Sequence, residues 1–217
     1  MTSKNNSLQS HFKTITKVFL SVYLLFSANL LFAGTEQEKA MQRPVDELHN
    51  ALLDIMKTAG TSSFEERYAS MEKVITANFN TPLISRVILS RYWKSLDENA
   101  KTSFINLFNQ LTISTYVSRF DSYENESFKH IAIDPMKKNR FLVKTELIQS
   151  SDDSVSFNYI VQEDKGTWKI ISVIANGIND LSLKRGEYSS VIKDQGFDAL
   201  IENIKQKIRD LQPNSSQ

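Results

Sequence analysis

Apolar positions recur at helical spacing as far as Phe120 and at strand spacing from Phe128 to Ala175. Val45, Leu48, Leu52, Ile55, Met56 and Ala59 form one stripe, predicting a helix over residues 44–59 with Pro44 in its first turn and Gly60 at its end. Ser63 and Glu66 stand in capping-box spacing and open a second amphipathic helix carrying Phe64, Tyr68, Met71, Ile75 and Phe79 on one face. Thr81 and Pro82 suit the cap and first residue of a short helix running through Val87 and Ile88 toward Trp93. Ser95 and Glu98 form another capping box, ahead of a long helix with Ala100, Phe104, Leu107, Phe108, Leu111 and Phe120 as its apolar positions.

Four strands are expected over residues 128–133, 140–149, 155–163 and 167–175, divided by the turn sequences DPMKKN, SSDD and EDKG. Connections this short favour an antiparallel meander. Phe141, Val143, Thr145 and Leu147 share a face with Val155, Phe157, Tyr159 and Val161, and that face must be covered by helices. At Gly177 the period changes from two to helical, so a strand runs into a helix over about 179–193. After a break at Gly196, a last helix carries Phe197, Leu200, Ile201, Ile204, Ile208 and Leu211. The fold class is α+β, with helices packed on one side of a curved four-stranded antiparallel sheet.

Ahead of this body, Lys4, Lys13 and Lys17 precede an uncharged apolar run from Val18 to Phe32, the pattern of a cleaved export signal over residues 1–33. The run is shorter than the roughly 20 residues a membrane-spanning helix needs. Residues 34–43 read as a flexible leader, 44–211 as one domain, and 212–217 as a disordered tail. Cleavage after Ala33 removes three of the 26 basic residues and none of the 25 acidic ones, so 23 against 25 leaves a net charge of −2. Without a basic excess, nucleic acid is not an expected partner. The chain has no cysteine, so stability has to come from the core, and no thiolate chemistry or lipidated N-terminal cysteine is open to it.

Catalytic patterns are missing. His49 follows Asp46 and Glu47 on the first helix without the His-Glu-x-x-His spacing of a metalloprotease, and a solvated or capping role is expected for it. His130 lies between Lys129 and Ile131 on a strand, where an edge or surface position is expected. No Gly-x-Ser-x-Gly elbow and no phosphate-cradling glycine loop occurs, and the carboxylate pairs Glu65-Glu66 and Asp152-Asp153 point apart into water. No enzyme activity, metal or cofactor is expected.

An ordered series of residues resembles the MlaC (toluene-tolerance) family of periplasmic lipid-binding proteins, auxiliary components of ABC transporters. Phe64 and Arg67 open the second helix as in that family, Asn78-Phe79-Asn80 stands where it usually has Phe-Asp, and Leu83, Val87, Leu89 and Trp93 follow in order. Phe104, Phe108, Leu111, Tyr116 and Tyr123 continue the likeness, and Val143, Thr145, Tyr159, Trp168, Gly177, Leu183, Arg185, Tyr188, Gly196 and Leu200 complete it. The segment NGINDLSLKRGEYSSVI resembles the hopanoid-associated HpnM subgroup. Two positions depart from the pattern: Asn80 replaces an aspartate, and Ser90 replaces a glycine.

The resemblance implies a soluble carrier that holds phospholipid or hopanoid-type lipid in an apolar cavity between helices and sheet. It would cross the periplasm between an inner-membrane lipid transporter and an outer-membrane lipoprotein complex. Inward-facing positions that would line the cavity are Phe104, Phe108, Leu111, Tyr116, Val143, Tyr159, Ile174 and Tyr188. An amphipathic stripe is more often plain core than pocket, and core packing is the first explanation for each of them. Arg185 would meet a headgroup or partner, or form a structural ion pair. The alternative is a non-enzymatic scaffold or assembly module with a solid core.

Overall fold

The computed structural model describes residues 36–149 and 154–213. The expected export signal, the turn at 150–153 and the end of the tail lie outside them. The compact unit that carries the fold is Met41–Gln217. Among the described residues the helices are α1 (residues 36–57), α2 (Phe64–Asn78), α3 (Thr81–Leu89), α4 (Glu98–Arg119), α5 (Asp180–Gln195) and α6 (Phe197–Leu211). The strands are β1 (Ser127–Met136), β2 (Arg140–Ile148), β3 (Ser154–Asp164), β4 (Thr167–Ala175) and β5 (Ile178–Asn179), in the spatial order β1-β2-β3-β4-β5 with every pairing antiparallel. No described helix is long and apolar enough to cross a membrane.

The sheet has five strands rather than four. Asn176 and Gly177 both take positive φ, 48° and 78°, and form a two-residue turn between Ala175 and its register partner Ile178. An Asn-Gly pair suits that turn because both residues tolerate left-handed backbone. The chain therefore folds back as a short hairpin before α5 begins, and does not run from strand into helix at Gly177.

Helix starts differ from expectation at three places. α1 is already helical at residue 36 and Pro44 lies inside it, because the buried stripe Met41, Val45, Leu48, Leu52, Ile55 begins one turn earlier than Val45. α3 is capped by Asn80, whose Oδ1 accepts from the Leu83 N–H at 3.0 Å, which places Thr81 and Pro82 inside the helix. Asparagine thus fills the helix-end role of the aspartate it replaces. α4 is capped by Asp97, which accepts from the Ala100 N–H at 2.7 Å, and not by Ser95. Ser95 closes the preceding 3-10 turn by donating to the Tyr92 carbonyl at 2.8 Å. The Ser63–Glu66 capping box is present in both directions.

Register fixes which residues share a face. Val143 pairs with Tyr159, Phe141 with Val161 and Leu147 with Val155, so the expected apolar face of β2 and β3 is the observed one. This face meets α1 and α4: Tyr159 lies against His49 and Phe157 against Phe120. The helices are tied to one another and to the sheet by a few part-buried polar contacts. Asn78 donates to Glu47 at 2.9 Å, Arg67 donates to the Val117 carbonyl at 3.2 Å, and the Asn80 N–H donates to the Ile170 carbonyl at 3.0 Å. The last of these seats the α2–α3 junction on the edge of β4.

Candidate functional site

Seven of the eight residues expected to line a cavity are dispersed through the packed interior. Phe104 and Phe108 stack at 6.0 Å, and Tyr188 of α5 meets Phe104 edge-on at 6.3 Å, so these three come together. Val143 and Tyr159 are cross-strand partners, both fully buried, and Leu111 lies in the same core. Tyr116 sits farther along α4 between Phe79 and Phe120. Ile174 stands apart: its partners are Asn158 and Asn179, which places it on the opposite face of the sheet. Burial pushes the Tyr116, Tyr159 and Tyr188 phenols up, so all three stay protonated at neutral pH.

An open space is found elsewhere. A recess of about 200 Å³ is lined by Leu83, Ile84 and Val87 of α3, Arg140, Ile160, Ile171 and Ser172 of the sheet, Asn179 of β5 and Leu181 of α5. None of the eight expected residues belongs to it. Ile160 pairs with Ser172 and with Leu142, so these side chains lie on the face opposite the Val143–Tyr159 core. Ile171 is the extra residue of a bulge in β4, between Ile170 and Ser172, opposite Ile160 and Val161. A bulge of this kind re-aims a side chain that would otherwise follow the alternation.

Most of the lining is apolar, and its three polar members have distinct duties. Asn179 caps α5 by accepting from the Ser182 N–H at 3.0 Å and also takes the Ser172 hydroxyl at 3.3 Å. Arg140 donates through Nε to Gln162 at 3.3 Å, and no described carboxylate pairs with its guanidinium. It is a fixed cation beside an apolar hollow. Ile178 and Leu183, which neighbour Asn179 and Leu181 in sequence, are 62% and 59% exposed. Arg185 donates to the Ser90 hydroxyl at 3.0 Å and forms no ion pair with a described carboxylate. Ser90 holds φ at 52°, a left-handed value that favours the glycine it replaces.

Sequence reasoning missed the recess because its members break the pattern that defines a core face. Leu142 and Ile160 are apolar residues at positions whose neighbours Lys144, Asn158 and Gln162 are polar. α3 carries Leu83, Ile84, Val87, Ile88 and Leu89, more apolar surface than one buried stripe requires. Those off-pattern residues were the available signal.

One histidine, His49, differs from expectation. His49 is buried at 4% exposure, stacked on Phe128 at 3.7 Å and hydrogen-bonded through Nε2 to the Tyr159 hydroxyl at 3.0 Å. It faces inward because Leu48 and Leu52 pull that side of α1 onto the sheet. Burial, followed by the nearby charge of His130, lowers its pKa to about 3. His130 lies on an edge strand, as expected, on the helix-facing side of β1 and half-buried, with Nε2 2.5 Å from Asp46.

Comparison with known proteins accords with this architecture. No curated protein matches the sequence. Among solved structures, the fold is similar to that of the phospholipid-binding protein from Ralstonia solanacearum in complex with a phospholipid. That match has a TM-score of 0.69 at 14% identity and covers 79% of this chain and 96% of the other. At this identity the likeness shows a shared fold. The family model described as MlaC protein matches residues 46–206, nearly all of the helical and sheet body, and the chain belongs to the MlaC family.

Proposed function

We propose that this protein is a non-enzymatic lipid-binding shuttle of the periplasm, exported by its N-terminal signal. It carries phospholipid or a hopanoid-type lipid between an inner-membrane transporter and an outer-membrane lipoprotein complex. The observation that supports this reading best is the apolar recess beside α3 and α5, with Arg140, which pairs with no described carboxylate, at its wall. Acyl tails seat against Leu83, Val87, Ile160 and Leu181, and a phosphate meets the planar guanidinium, whose donors match phosphate oxygens in pairs. Family membership and the fold shared with a phospholipid-binding protein point the same way.

Transfer through water is the physical problem such a carrier solves. Burying apolar chain is worth about 0.8 kcal/mol per CH₂, so a long tail resists release by roughly 10 kcal/mol or more. The recess of about 200 Å³ is smaller than the roughly 300–1,000 Å³ of ordinary ligand pockets, so loading requires it to widen. α5 is the element suited to move, since Tyr188 is its one fully buried residue. As α5 and α3 part from the sheet, the tails reach past Ile174 toward the α4–α5 contact at Tyr188 and Phe104, while Phe108, Leu111, Tyr116, Val143 and Tyr159 stay in the core on the other face. A compact core around a small recess also favours a second reading, the scaffold module with a solid interior.

Native mass spectrometry of purified full-length protein separates the two. The shuttle predicts a bound species whose mass matches a lipid, and organic extraction then identifies it as phospholipid or hopanoid. A folded protein that carries no lipid and takes none from vesicles supports the scaffold and overturns the shuttle.

A further inference from the structure

We propose that Asp46, His49 and His130 form a binding site for a divalent transition metal of the Zn²⁺ class, separate from the recess. One carboxylate oxygen and one ring nitrogen from each histidine lie within 4.8 Å of one another. Asp46 and His49 are three residues apart on α1 and therefore project from the same side of that helix. His130 is supplied by β1, 84 residues away from Asp46 in sequence. The cluster is thus made by the packing of α1 on the sheet and not by a local motif.

Two imidazoles and a carboxylate suit Zn²⁺, Ni²⁺ or Cu²⁺, whereas Ca²⁺ and Mg²⁺ prefer all-oxygen sites. Bonds of about 2.0–2.2 Å to a tetrahedral Zn²⁺ hold ligand atoms about 3.4 Å apart, so the ion would enter by separating the Asp46–His130 pair, now 2.5 Å apart. Tyr159 engages Nε2 of His49 and Phe128 stacks on the ring, which leaves Nδ1 as the nitrogen to offer an ion. Nδ1 of His130 is buried without a hydrogen-bond partner, so one nitrogen able to coordinate is not engaged with the protein. Side-chain exposures of 49% for Asp46 and 31% for His130 leave a route for the ion and room for water as fourth ligand. The bound ion would fasten α1 to β1, the outermost strand, in a chain that has no disulfide to do so.

Calorimetric titration of Zn²⁺ into chelator-treated full-length protein tests the site. The expected result is one ion per chain, with affinity at least tenfold weaker in both Asp46→Asn and His130→Ala and unchanged in Asp198→Asn, an exposed carboxylate of α6. These two targets are part-exposed, and circular dichroism establishes that the variants remain folded. Co²⁺ added to the unaltered protein should also give the visible absorption of a low-coordinate nitrogen and oxygen site. Absence of saturable binding, or either variant binding as tightly as the parent, overturns the proposal.

Discussion

The two faces of the sheet are used differently. On one, Val143, Thr145, Tyr159, Val161 and Ile170 are buried against the helices, and aromatic pairs such as Phe157–Tyr159 at 5.5 Å fill the interior. On the other, Leu142, Ile160 and Ile174 are only partly covered, and α3 and α5 approach without closing the gap. The contrast teaches where stability and binding are stored. Material removed from the first face should cost folding free energy, and material added to the second should cost occupancy while leaving the fold intact.

Phe104→Ala should break the contrast most severely. It deletes a fully buried ring that meets Phe108, Tyr188 and Phe197, and urea unfolding should report a loss of about 3–5 kcal/mol.

Acidification acts on the same face through His49, which packs among Asp46, His130, Phe128 and Tyr159. Its pKa of about 3 lies below the ordinary 6.5, so between these values the unfolded chain binds a proton that the folded protein refuses. Stability therefore falls as pH drops through that window, by roughly 1.4 kcal/mol per pH unit at most for one group. Unfolding of metal-free protein at pH 7 and pH 5 checks it; equal stability at the two values would count against a neutral buried imidazole.

On the opposite face, Ile160→Trp inserts an indole into the recess. Lipid co-purifying with the protein should drop tenfold or more, a difference of about 1.4 kcal/mol, while the unfolding midpoint hardly moves. Arg140→Gln should be milder, with a several-fold loss in retention of anionic phospholipid and little change for an uncharged lipid. Smallest of all is Asn80→Asp at the junction of the faces, where both residues cap a helix and stability should change by less than about 0.5 kcal/mol.

Most of the first face was legible in the sequence, because a strand with one covered side repeats its apolar residues with period two and a helix repeats them near 3.6. Phe141 to Leu147, Val155 to Val161 and the α4 stripe all announce themselves this way. The second face was not legible. Its recess depends on the β4 bulge at Ile171, on the two-residue strand β5 and on the approach of α3 to Ile160, and none of these is encoded by periodicity. The same limit hid His49, whose inward direction follows from how α1 rolls on the sheet rather than from its neighbours in sequence. Chain ends of helices were misplaced where two capping residues competed, as Asn80 with Thr81 and Asp97 with Ser95.

Photolabelling decides most directly whether the half-covered face is where lipid sits. Full-length protein is loaded with a phospholipid bearing a photoactivatable acyl chain, irradiated, and digested for mass spectrometry. Lipid adducts are expected on Leu83, Val87, Ile160 or Leu181, and their loss is expected in Ile160→Trp. A loaded protein whose adducts spare all four of these residues would contradict the assignment.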